Sequence, residues 1–160
     1  MKTVYLAGPI TDCDRGEANT WREQVKGRLA KHNIMGISPL RCEPLMGERY
    51  SLSSPDPRFG TARAIASKNL FDVRNCDMTF AHLPRELNQR HPSYGTICEM
   101  AWAFSIGRPV ILVTDDPLMQ AHPVIQACAA WTLGTLEEGI DVAVGVLSDY
   151  AKRCAAERAA

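Results

Sequence analysis

The stretch Ser93-Tyr94-Gly95-Thr96-Ile97-Cys98-Glu99-Met100-Ala101-Trp102-Ala103 places one carboxylate, Glu99, near the start of an otherwise apolar helical pattern opened by a Gly-Thr turn. Free amides and the dipole at a helix N-terminus favour the ionised form of such an acid. An ionised carboxylate at a ligand-binding edge is a nucleophile toward an electrophilic carbon. With a second acid or a hydrogen-bond donor nearby, it has the parts of retaining glycosyl chemistry, in which one carboxylate forms a covalent intermediate and a partner assists the leaving group. A plainer reading competes. Thr96-Ile97-Cys98-Glu99 has the form of a capping box, and this accounts for the acid through helix capping alone. Pattern by itself leaves both readings open.

Other chemistries lack their signatures. Ala7-Gly8-Pro9-Ile10 holds a single glycine, so neither a dinucleotide fingerprint nor a Walker loop is present. His32, His82, His91 and His122 have no metal-ligand spacing with one another or with cysteine, and no Gly-x-Ser-x-Gly elbow occurs. The isolated histidines read as surface or satisfied side chains.

The elements that must position Glu99 follow from apolar runs and breakers. Thr3 to Ala7 reads as a buried strand ended by Gly8-Pro9, a turn that lets backbone approach a ligand. Ala18, Trp21, Val25 and Leu29 mark a helix over about 17–32, with Asp12, Asp14 and Glu17 near its N-terminus. Ile34 to Ile37 reads as a second strand. The stretch 39–60, rich in Pro and Gly, is long enough to be a flexible flap over the site. A helix over about 61–75, a strand from Met78 to Leu83 and a polar loop from Pro84 to Pro92 come next. After them come the Glu99 helix over about 96–106, a strand from Val110 to Val113 and a short helix near 123–129. Trp131 to Leu133 reads as a fifth strand, and a C-terminal helix runs from Leu136 to about Ala151, with Ala155 to Ala160 frayed. Alternating strands and helices predict a single α/β domain, a doubly wound sheet of about five parallel strands flanked by helices, with ligands bound beyond the carboxyl ends of the strands.

Composition agrees with a small-molecule site. The chain has 160 residues, 18 basic against 18 acidic side chains and a hydrophobic fraction of 46%, which suits one globular domain with no field to attract a nucleic acid polymer or an anionic membrane. No apolar run reaches the ~20 residues of a membrane span, and no signal peptide pattern opens the chain, so a cytoplasmic protein is expected. The six cysteines have no Cys-x-x-Cys pair and read as reduced, mostly buried thiols.

The ordered pieces Val4-Tyr5-Leu6-Ala7-Gly8-Pro9-Ile10, Trp21-Arg22, Ser38-Pro39-Leu40-Arg41, Asn69-Leu70-Phe71-Asp72-Val73-Arg74-Asn75-Cys76-Asp77, Ser93 to Ala103, Arg108-Pro109-Val110 and Thr135 to Ile140 resemble the nucleoside 2-deoxyribosyltransferase family, particularly its bacterial and phage-type members. The resemblance implies a flavodoxin-like domain that forms homo-oligomers with sites shared between subunits. It also implies exchange of nucleobases on 2′-deoxyribonucleosides, by attack of the residue at Glu99 on C1′, with slow hydrolysis as a side reaction. No metal or organic cofactor is implied. Tyr5 matches a tyrosine that orients the glutamate, and Gly8, Pro9 and Gly95 fall in matched segments around the substrate.

Asn69 stands where the family commonly has an aspartate. An amide can hydrogen-bond but cannot act as a general acid, so Asp72, three residues on, is the other candidate for that role. Ser93 matches both phage-type transferases and a phosphate-contacting serine of nucleoside 5′-monophosphate N-glycosidases, and Arg41 could assist a 5′-phosphate. His122 lies in the segment that the family uses to complete a neighbouring subunit's site. Two alternatives therefore accompany the transferase reading: a nucleoside 5′-monophosphate N-glycosidase and a non-catalytic nucleotide-binding domain.

Overall fold

A computed structural model describes residues 1–42, 47–52 and 56–148. The strand expected first, β1 (Lys2–Ala7), has Val4, Tyr5, Leu6 and Ala7 wholly buried, so it is covered on both faces like the central strand of a parallel sheet. It pairs in parallel with β2 (Ile34–Ile37) on one side and β3 (Met78–His82) on the other. β4 (Val110–Val113) and β5 (Trp131–Leu133) extend the sheet, again in parallel, to the order β2-β1-β3-β4-β5. This is the doubly wound, flavodoxin-like arrangement. The chain leaves β1 toward one edge and returns through β3 toward the other, and a crevice opens where the loops after β1 and β3 diverge.

Side chains alternate along each strand and separate two cores. Val4, Leu6, Phe80 and Ile111 pack with Trp21, Val25 and Leu29 of α1 (Arg15–Ala30) and Ile140 and Ala143 of α7 (Leu136–Leu147). Both helices begin with capping boxes, Asp14 with Glu17 and Thr135 with Glu138, which fix where they start. On the opposite face Tyr5, Ala7, Ala81 and Leu112 meet Val73 of α2 (Ala62–Asn75), Met100 and Ala103 of α4 (Tyr94–Ser105) and Ile125 of α6 (Pro123–Cys128).

Two expected loops contain short helices. The polar stretch after β3 forms α3 (Arg85–Arg90), and the loop after β4 forms α5 (Pro117–Ala121), N-capped by the Asp116 carboxylate. Neither spans two full turns, so no helical periodicity marks them in the sequence. Part of the expected flap is pinned: Pro39–Cys42 is a 3₁₀ turn, Asp12 N–H donates to Tyr50 O at 2.8 Å, and Tyr50 N–H donates to Cys13 O at 2.9 Å. The remainder of that flap, 43–46 and 53–55, and the expected continuation of α7 beyond 148 lie outside the described residues.

The turn after β1 is packed to contact. A Cβ at Gly8 would lie 2.6 Å from the Trp21 ring and 3.0 Å from the His82 carbonyl oxygen. Gly8→Ala is expected to cost about 1–3 kcal/mol in a denaturant titration, because an added methyl forces the turn off two buried neighbours; unchanged stability would mean that the turn yields freely.

Candidate active site

The helix carrying Glu99 begins two residues earlier than the sequence suggested. Ser93 occupies the N-cap, so Glu99 is the sixth residue of α4 and lies in its second turn, out of reach of the first-turn amides. The capping-box reading of Thr96 and Glu99 is therefore overturned. Thr96 turns its hydroxyl to Ser93 Oγ at 2.9 Å, and Glu99 faces the sheet with 5% of its surface exposed. A carboxylate buried among apolar residues without a helix cap to make has to find partners from tertiary structure.

Those partners come from two other elements. The Tyr5 hydroxyl donates to Glu99 Oε1 at 2.6 Å, and Asn69 Nδ2 donates to the same oxygen at 2.9 Å. Both bonds fall on Oε1, which leaves Oε2 without a hydrogen bond from any described residue. Burial pushes the Glu99 carboxyl up to about 7, against the Tyr5 hydrogen bond, the Arg22 charge, the Asn69 hydrogen bond and the Lys68 charge, which all draw it down. Tyr5, raised well above its ordinary range by burial and then by the Glu99 charge, keeps its proton and stays a donor. The result is a carboxylate that exchanges its proton near neutrality, oriented through one oxygen with the other left without a hydrogen bond from the described residues.

Arg22 supplies a buried positive charge that acts on Glu99. Its guanidinium is wholly buried and donates to the carbonyls of Leu6, Gly8, Pro9 and Ala18, so it ties the end of β1 and the following turn to α1. Burial lowers its pKa only to about 10, so it remains charged at neutral pH. The sequence signal for it was a charged residue on the buried stripe formed by Ala18, Trp21, Val25 and Leu29. On the α1 face of the sheet, opposite Glu99, His82 lies edge-on to Trp21 at 4.8 Å between ring centroids, and burial and the Arg22 charge push its imidazole down to about 4. It is a neutral, half-buried side chain whose Nδ1 has no hydrogen-bond partner among the described residues, so it departs from the expected surface or satisfied histidine.

A cleft of about 210 Å³ opens above Glu99. Gly8, Pro9, Ile10 and Thr11 form one wall, His91, Pro92, Ser93, Tyr94, Gly95 and Thr96 another, and Ser51, Leu52, Ile65 and Asn69 complete it. The structure thus brings Gly8, Pro9, Asn69, Ser93, Gly95 and Glu99 to one cavity, with Tyr5 beneath it. Three other candidates are not part of its lining. Asp72 is buried and held by Arg41 through two bonds of 2.5 and 2.6 Å, so these two side chains occupy each other. His122 caps α6, its Nδ1 accepting from Ile125 N–H at 3.4 Å. Sequence reasoning also passed over Lys68, whose Nζ donates to Asn69 Oδ1 at 2.8 Å and to Pro39 O at 2.7 Å.

The rim of the cleft is tied by one carboxylate. Glu17, besides completing its capping box, receives Arg90 from α3 at 2.9 and 3.0 Å and Arg49 from the 47–52 segment at 3.4 Å. Arg90 and the backbone N–H of Asp14 are the main causes that hold Glu17 down at about 2. Ser51 and Leu52 follow Tyr50, and His91 follows Arg90, so this ion cluster positions two stretches of the cleft wall.

The Glu99 carboxyl titrates at about 7 in the folded protein against an ordinary value of 4.5. The folded state thus holds this proton more tightly than the unfolded chain. The contribution of Glu99 to stability is complete below pH 4.5 and is lost as pH rises through 7. Glu99→Gln removes that dependence, so its stability relative to the wild type should rise by about 3 kcal/mol between pH 4.5 and pH 8 in urea titrations. A stability difference that stays flat with pH would show that Glu99 titrates in the ordinary carboxylate range.

Solved structures with this fold include a 2-deoxyribosyltransferase from Bacillus psychrosaccharolyticus, at 16% identity and a TM-score of 0.62 with 94% of each chain covered. A Clostridium botulinum CMP N-glycosidase aligns at 15% identity and a TM-score of 0.54, over 91% of this chain and 100% of its own. A molybdenum cofactor binding protein from Rippkaea orientalis aligns at 15% identity and a TM-score of 0.59, over 92% of this chain and 98% of its own. At such identities these likenesses speak to the fold. No curated protein sequence matches the chain. The family described as nucleoside 2-deoxyribosyltransferase, however, matches residues 4–156, which include every part of the Tyr5, Asn69 and Glu99 arrangement, and the chain belongs to that family.

Proposed function

We propose that the protein is a nucleoside 2-deoxyribosyltransferase that exchanges nucleobases on 2′-deoxyribonucleosides by retaining double displacement, in cytoplasmic nucleoside salvage. The observation that carries this reading is the Glu99 carboxylate at the cleft, held through Oε1 by Tyr5 and Asn69 with Oε2 left for the substrate. Oε2 attacks C1′, a C1′–O bond forms, and the C1′–N bond breaks with its electron pair passing to the departing base. A nitrogen of the second base then attacks C1′ from the opposite side and the C1′–O bond breaks, which restores the carboxylate. The proton taken up by the departing base equals the one given up by the incoming base. Two inversions give net retention, and water in place of the second base gives slow hydrolysis.

Asn69 supplies a hydrogen bond and no proton, so it acts by holding Glu99. Asp72, paired with Arg41, supports this face of α2 and does not line the cleft. A homo-oligomer with shared sites fits the exposed side of α4, where Tyr94, Cys98, Ala101 and Phe104 make an apolar stripe. In such an assembly His122 of a neighbouring copy is the residue we assign to the cleft.

The second reading, a nucleoside 5′-monophosphate N-glycosidase, is favoured by one feature. Ser93 is an N-cap whose side chain caps nothing, and with Gly95 and Thr96 it lines the cleft at the N-terminus of a 12-residue helix, a setting suited to an anion. Incubation with deoxyinosine and adenine, followed by chromatography, should yield deoxyadenosine and hypoxanthine. Intact-mass spectrometry of a quenched reaction should find one deoxyribosyl group on Glu99, and Glu99→Ala should lower the exchange rate by at least about a thousandfold. Base release from a deoxynucleoside monophosphate alone would select the glycosidase, and turnover of neither substrate would leave a binding domain.

A further inference from the structure

We infer that Lys68 is a positioning residue for the Glu99 carboxylate: it fixes which end of the Asn69 amide faces Glu99. The inference rests on the reading of Glu99 as the nucleophile.

A carboxamide is nearly symmetric in shape but not in hydrogen bonding, since one end donates and the other only accepts. With Nδ2 toward Glu99, Asn69 donates to Oε1 at 2.9 Å. Turned over, it would set Oδ1 against an ionised carboxylate, two acceptors face to face. Lys68 distinguishes the two orientations, because an ammonium can only donate. Its Nζ donates to Asn69 Oδ1 at 2.8 Å and is braced by Pro39 O at 2.7 Å, a carbonyl of the 3₁₀ turn after β2. In the flipped state it would meet the amide's own N–H groups. Adjacent residues on a helix point in different directions, so the contact needs the Lys68 ammonium brought to the Asn69 side of α2, where the Pro39 carbonyl also accepts from it.

An aspartate in place of Asn69 would have no such ambiguity, as both its oxygens accept. The requirement for an orienting cation is therefore a consequence of the amide at this position. Among the described residues, the charged and titratable groups around Glu99 are Tyr5 from β1, Arg22 from α1, Lys68 from α2 and His91 from the opposite cleft wall, with Asp72 of α2 paired with Arg41 of the 3₁₀ turn. Lys68 differs from Arg22 in acting on Glu99 through a hydrogen-bonded intermediary as well as through space.

The test compares wild type, Lys68→Met, Lys68→Arg, Asn69→Ala and the Lys68→Met/Asn69→Ala double variant. Two readouts are used: carbon-13 NMR titration of the Glu99 carboxyl in the ligand-free protein, and the pH dependence of kcat/KM for base exchange. Lys68→Met should raise the Glu99 titration midpoint by about one unit and depress kcat/KM about tenfold on the acid side, with a smaller loss at pH 8. Lys68→Arg should restore most of both. The shift caused by Lys68→Met should shrink when Asn69 is already alanine, since the two residues act in series.

An unchanged Glu99 midpoint in Lys68→Met overturns the inference. So does a shift of the same size with and without Asn69, which would reduce Lys68 to a through-space charge. Because the NMR titration needs no turnover, a protein that exchanges no bases would remove the proposed function and still decide the role of Lys68.

Discussion

The buried guanidinium of Arg22 is the constraint on which the rest of the site depends. Taking an isolated charge out of water costs several kcal/mol unless hydrogen bonds replace hydration, and here the replacement is a set of carbonyls from the end of β1, the turn after it and the first turns of α1. The Leu6, Gly8 and Pro9 oxygens among them lie at the end of the central strand and in the turn after it, where the parallel ladder runs out and buried backbone acceptors need other donors. One side chain satisfies them, fixes the Gly8-Pro9 turn as a wall of the cleft, and leaves a positive charge under the site. The same charge bears on both sides of the sheet: it helps keep His82 neutral in one core and draws Glu99 toward ionisation in the other.

Glu99 occupies the opposite position in that balance. Burial favours its protonated form, while two donors and two cations favour the anion. An acid poised near neutrality results because neither side wins outright, and its cost is that the folded protein holds a partly ionised group away from water. The structure limits this cost by ordering the carboxylate from three directions. Tyr5 reaches it from the central strand, Asn69 from α2 and the α4 backbone carries it, so this carboxylate sits on regular elements instead of loops. The rim is held differently, by Glu17 with Arg49 and Arg90 in a partly exposed ion cluster of the kind that salt weakens.

Much of the fold was legible along the chain. The five strands appear where apolar runs meet Gly and Pro breakers, because strands buried on both faces have no alternative pattern, and the βα alternation then determines parallel pairing. The short helices α3 and α5 were not legible, since a single turn carries no period. The start of α4 was misread for a related reason. Thr96 and Glu99 match a capping box in spacing, but Pro92-Ser93 upstream starts the helix first, and a residue three places after a threonine caps nothing once that threonine is inside the helix.

By itself the sequence determined that an acid would stand at the carboxyl edge of the sheet, near the turns holding Gly8 and Gly95, and the ordered matches to a known family singled out Tyr5, Asn69 and Glu99 together. Only the tertiary structure decided what each does for the others. It placed two donors on one oxygen of Glu99, gave Asp72 to Arg41, and brought Lys68 against the far end of the Asn69 amide. The physical reason is that a residue's position along the chain follows from local pattern. Hydrogen-bond partnership, by contrast, depends on the direction of side chains from elements far apart in sequence, here 94 residues apart for Tyr5 and Glu99, which no periodicity records.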